Sequence, residues 1–128
     1  MLAAAGALCV VLAVGHTVLG HVWVLHRLSS ETLPPTPLGG ARATAIALAV
    51  TWDVVTIVVL ALGVLLIGLA ERHSSAERSL VAHTVAAAFV AMSATAIGLG
   101  RRHVPTLVRA APIWMGFIAV AVLAATGA

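Results

Sequence analysis

The chain has 128 residues, of which 62% are hydrophobic and only 9% charged, far from the roughly 25% charged residues of a soluble globular domain. With a mean hydropathy of +1.14 this composition excludes an ordinary soluble fold and predicts a single integral membrane domain, residues 1–128, with room for about four helical spans at roughly 20 apolar residues each. The net charge of +3 is the balance of seven arginines, scattered over short predicted connections, against four acids; no basic stripe interleaved with aromatics exists to track phosphates, so membrane lipid is the expected partner and nucleic acid is not.

Lys, Asn, Gln and Tyr are absent and Ala is abundant, which reads as a bias of genomic composition. Cys9 is the only cysteine. An internal disulfide and a thiolate metal cluster within one chain are thereby excluded, and Cys9, set in an apolar run, reads as a small buried hydrophobe.

The first predicted helix covers residues 2–27. It has neither a basic leader nor a small-residue cleavage site, so it is expected to be a retained span and not a signal peptide. Its second half carries His16, His21 and His26. A polar group in hydrocarbon costs several kcal/mol unless it is satisfied, so an ionisable side chain at membrane depth marks a candidate functional site. Residues 29–40 hold three prolines and a glycine pair and are expected to form a loop.

The second helix is predicted at residues 42–70, interrupted by one acid, Asp53. The charged segment 71–78 follows as a short turn, which makes the second and third helices antiparallel neighbours. The third helix, residues 79–99, is rich in small side chains. Its pairs Ala87 with Ala91 and Ala94 with Gly98 have the small-xxx-small spacing that lets backbones approach closely in lipid, which predicts a central position. Residues 100–105 read as the last turn and 106–126 as the fourth helix, kinked near its start by Pro112. The expected fold is an all-α, up-down, antiparallel transmembrane four-helix bundle. More arginines flank the first and third connections (Arg27, Arg42, Arg101, Arg102, with Arg109 nearby) than the second (Arg72, Arg78), which puts those connections in the cytoplasm and both termini outside the plasma membrane of a bacterium.

Depth selects the site. At about 1.5 Å rise per residue, His16 lies roughly 16 Å inside Arg27, and Asp53 lies equally far inside Arg42, so the two are expected to meet across adjacent helices. His21 is roughly 9 Å from Arg27. On an ideal helix it stands about 140° from His16, so both serve one site only if the first helix forms its corner. Gly20, one turn beyond His16, leaves room for a ligand or a close helix. Trp23, Trp52, Thr56, Met92, Ser93 and Trp114 complete the expected pocket, with Trp23 and Trp114 also suited to interface anchoring. His83 lies at the opposite end. His26, His73 and His103 read as solvated or headgroup-facing.

Two imidazoles with a carboxylate are a donor set for zinc or non-haem iron, and two imidazoles can hold copper. The metal-ligand expectation is therefore His16, His21 and Asp53, and the catalytic expectation His16 with Asp53. The chemistry left open is a metal-dependent membrane oxidoreductase, or an acid/base isomerase or cyclase, acting on a hydrophobic small molecule. The rival is a non-enzymatic accessory subunit or small transporter, a homodimer or part of a membrane complex, whose His/Asp pair registers helices or relays protons.

Three stretches, His16-Thr17-Val18-Leu19-Gly20, Trp52-Asp53-Val54-Val55-Thr56 and Gly100-Arg101-Arg102-His103, resemble a family of small four-helix bacterial integral membrane proteins. In that family the first helix reads H-[ST]-V-L-G-E, the second W-H-x-x-T and the last turn R-H-P. The resemblance implies a four-helix membrane fold with its site on the first two helices, and it implies no substrate. Two positions depart from the pattern: His21 stands where it has Glu, and Asp53 where it has His.

Overall fold

A computed structural model describes residues 1–28, 33, 39–71, 76–103 and 113–128. Four helices make up the described residues, with no strand among them. Helix α1, Leu2–Leu19, continues without a break through a wide π-type turn, Gly20–Val24, and a tight 3-10 turn, Leu25–Arg27. The others are α2, Gly40–Ala70, α3, Ala76–His103, and α4, Ile113–Thr126.

Three segments, Leu2–Arg27, Gly40–Ala70 and Ala76–Gly98, are long and apolar enough to cross a membrane; Trp114–Thr126 is a shorter apolar helix. Much of their apolar surface faces outward, as at Val11, Ile57, Val64, Leu80 and Val122. In water such a surface would drive association, whereas acyl chains are its natural contact.

The expected loop at residues 29–40 falls largely outside the described residues, as do Arg72, His73, Arg109, the start of the fourth helix and the kink at Pro112. Gly40 opens α2 with φ +70°, a left-handed conformation that costs an L-residue roughly 1 kcal/mol or more and that glycine adopts freely. Helix α3 departs from expectation at both ends. It begins at Ala76 and stays helical through residues 100–103, where a turn was predicted. Glu77 in its first turn and Arg101 near its end both complement the helix dipole, and Gly100 alone is too weak a breaker to stop it.

The contacts gather into two compact units, Met1–Val10 with Leu62–Ala128, and Val11–Ala61. In the first unit, α3 packs along α4. The buried stripe of α3 is Ala82, Val85, Ala86, Phe89 and Ser93, the three- and four-residue spacing of one helix face. Phe89 is fully buried and meets Phe117 with ring centroids 5.9 Å apart at 55°, a tilted aromatic geometry. Ser93 Oγ donates to the Trp114 carbonyl at 3.1 Å, and Arg78 donates to the Gly127 carbonyl at 2.7 Å, where a cation suits the C-terminal end of α4.

Close helix approach in this unit comes from glycines on the first two helices. A Cβ added at Gly6 would lie 2.5 Å from the Gly63 carbonyl oxygen, and one at Gly63 would lie 2.9 Å from the Cys9 Cβ. Cys9 itself is fully buried, as its apolar run implied. The small-xxx-small expectation for α3 is overturned: Ala87, Ala91, Ala94 and Gly98 all lie on its exposed face. The reason is that the α3 seam is filled by the bulk of Phe89 and not by backbone proximity.

Phe89→Ala is expected to lower the unfolding free energy by about 3 kcal/mol, the cost of a large buried cavity. Val90→Ala, one residue on and 56% exposed, should change it by less than about 0.5 kcal/mol. Thermal unfolding of the two variants in the same detergent checks the contrast.

Candidate functional site

The unit Val11–Ala61 holds the polar residues that the sequence singled out on the first two helices. Trp52 is its centre. The indole stacks on the His16 ring at a centroid distance of 4.3 Å and an interplanar angle of 9°. Its Nε1–H donates to the His16 carbonyl oxygen at 3.0 Å. The same indole lies against the backbone of Gly20, where an added Cβ would overlap it. Of the two uses expected for the room at Gly20, a ligand or a close helix, the second is seen: a side chain of α2 fills it.

Immediately after this contact α1 changes geometry. The Leu25 N–H reaches back to the carbonyls of Gly20 and His21, the longer-range bonding of a wide turn. Side chains that press into a helix and take one of its carbonyls are a recognised cause of such local distortions.

His16 Nδ1 and Thr56 Oγ1 are 2.9 Å apart, and Thr56 Oγ1 donates to the Trp52 carbonyl at 3.2 Å. With its single hydrogen committed there, Thr56 accepts, so the Nδ1–H of His16 is the donor. Thr17 joins from the same side, 3.1 Å from the Ala13 carbonyl and 3.3 Å from Thr56 Oγ1. Sequence reasoning passed over Thr17; its signal was the four-residue spacing from Ala13 and its place beside His16.

Asp53 does not pair with His16. Its Oδ1 accepts from His21 Nε2 at 2.9 Å. The direct His16–Asp53 contact is therefore corrected to two rungs, His16 with Thr56 and His21 with Asp53. Matching depth alone could not separate Asp53 from Thr56, which stands one turn further along α2. The two rungs also differ in environment: the first is half-buried, whereas the His21 and Asp53 side chains are 52% and 49% exposed.

The rest of the expected pocket is divided. Gly20, Trp52 and Thr56 come together in this unit. Ser93 and Trp114 meet in the other one, where Met92 is half-buried on the same helix as Ser93. Trp23 is 65% exposed. His83 bonds locally to the Ser79 carbonyl at 2.8 Å.

The proposed metal set is not assembled. No group of three or more His, Cys, Asp or Glu residues among the described ones is arranged to hold an ion. His16 turns Nδ1 to Thr56 and its ring face to Trp52, while His21 turns Nε2 to Asp53. One nitrogen of each imidazole thus points at a neighbouring side chain. No protein-family model, curated protein or solved structure matches the chain.

Gly20→Ala is expected to destabilise the protein by about 1–3 kcal/mol through overlap with Trp52 and to change tryptophan fluorescence. Gly15→Ala, with no atom within 4 Å of the new methyl, should be neutral or stabilising by up to about 1 kcal/mol. Thermal unfolding and emission spectra of the two variants test this.

Proposed function

We propose that the protein is a four-span, up-down membrane enzyme that performs acid/base chemistry on a hydrophobic small molecule, with His21 as the proton-transferring group and Asp53 as its orienting partner. The observation that carries this reading is the half-exposed His21 Nε2–Asp53 Oδ1 hydrogen bond. A carboxylate on one imidazole nitrogen fixes the tautomer, holds the ring and stabilises the cation formed when the other nitrogen takes a proton. His16, expected at first to be the catalytic group, has the role of positioning α1 on α2 through Trp52 and Thr56.

The membrane frame of the proposal is a bacterial plasma membrane with the first and third connections in the cytoplasm. Its support is the set of three long apolar helices and the arginine distribution. The up-down arrangement is supported by residue pairs that climb from 16 to 21 on α1 while they descend from 56 to 53 on α2.

A second reading has its own observation. The His16 rung is satisfied within the protein, with its ring covered by Trp52 and Nδ1 engaged by Thr56, as expected for a pair that only registers two helices. In that case the protein is an accessory subunit and both rungs are structural, each worth about 0.6 kcal/mol on the scale of interhelical hydrogen bonds in membranes.

Lipid extracts of cells producing the protein separate the two. The enzyme reading expects at least one lipophilic species to change in abundance with the unaltered chain and to revert with His21→Ala or Asp53→Asn at equal protein level. Extracts that are identical across all three overturn it. The structural reading expects those identical extracts together with lowered unfolding temperatures for His16→Ala, His21→Ala and Asp53→Asn.

A further inference from the structure

The two helices that carry the His21–Asp53 pair also form a groove lined by Ala13, Val14, Thr17 and Val18 of α1 and Thr56 and Leu60 of α2, with a cavity volume of about 210 Å³. Ligand pockets for drug-sized molecules span about 300–1,000 Å³. The groove is smaller, and its lining follows two helix axes, residues 13–18 on α1 and 56–60 on α2, a shape that suits a length of chain. Its two hydroxyls are already engaged, Thr17 with the Ala13 carbonyl and Thr56 with the Trp52 carbonyl. What the groove offers a ligand is therefore apolar contact.

Helix periodicity ties this groove to the dyad. His21 follows Thr17 by four residues and Val18 by three, and Asp53 precedes Thr56 by three and Leu60 by seven, so on both helices the lining faces lead, one turn on, to the pair. The 2.9 Å contact between His21 and Asp53 makes that end polar. Measured from Arg27 at about 1.5 Å per residue, the pair lies roughly 9 Å in and the groove lining roughly 14–21 Å in. A molecule with its head at the pair and its tail in the groove has the orientation that any lipid adopts.

The head can be specified further. With Nε2–H donated to Asp53, the neutral His21 ring carries its lone pair on Nδ1, which calls for a hydrogen-bond donor. A hydroxyl supplies one; a quaternary ammonium does not, and a carboxylate is repelled by Asp53. We propose that the groove and the His21–Asp53 pair together bind a single-chain lipid alcohol, tail along Val14, Val18 and Leu60 and hydroxyl at His21 Nδ1. This rests on the acid/base reading above and names its substrate class. In the bound state the hydroxyl donates its hydrogen bond to Nδ1 while the Nε2–H stays on the Asp53 carboxylate.

The test uses the full chain in phosphatidylcholine nanodiscs and a hexadecanol bearing a diazirine on its chain, compared with the same chain ending in a carboxylate or a trimethylammonium. The alcohol is expected to label residues 13–18 and 56–60 preferentially and to be competed by unlabelled hexadecanol. Leu60→Trp and Val14→Phe, both at exposed positions, should fill the groove and reduce labelling about tenfold. Asp53→Asn should remove the preference for the alcohol. Labelling spread evenly over all helices, equal labelling by the three heads, or cross-links joining two copies through the groove would each overturn the proposal. Extracts that respond to His21→Ala without groove labelling leave the acid/base reading standing and remove this one; groove labelling with unresponsive extracts does the reverse.

Discussion

An apolar surround provides no hydrogen-bond partner, and the polar residues of the first two helices are arranged around that single constraint. Each must find its partner on a neighbouring helix or at a helix end. The half-buried rung, His16 with Thr56, is closed on itself by Trp52, whose indole covers the imidazole face and donates to the His16 carbonyl, and whose backbone carbonyl accepts from the Thr56 hydroxyl. One residue thus serves three polar groups, and glycine at position 20 leaves its indole room. The more exposed rung, His21 with Asp53, has no such cover. The same constraint therefore yields two outcomes, a covered contact between the helices and a half-exposed one.

Much of this was legible in the residues. Composition alone separates the chain from soluble proteins, and the three long apolar segments follow from counting uninterrupted residues. Depth matching from Arg27 and Arg42 led to the right stretch of each helix, because rise per residue varies little. Rotation is less forgiving. The pairing of His16 with Asp53 failed because several polar groups share a depth and only the helix phase chooses among them. That phase is set by Trp52, whose effect on the backbone around Gly20 no periodicity count contains. The α3 seam was misread for a related reason: small residues permit a close approach but do not compel one, and Phe89 offers more contact than Ala87 or Ala91. The close approach lies instead between Gly6 and Gly63, two isolated glycines that no motif had linked.

The wide turn at Gly20–Val24 has a consequence for how this helix tolerates length changes. A turn closed over five residues in place of four accommodates one surplus residue, so everything beyond it is out of phase with residues 2–19 by about 100°. Removing a single residue between 22 and 24 would restore the ordinary spiral and leave His26 and Arg27 aimed as they are, whereas tightening the turn with no deletion would swing them by about 100° while the Trp52 contacts upstream stayed in place. The segment is thereby a natural adjuster, able to re-aim the charged end of the helix independently of the polar centre it follows.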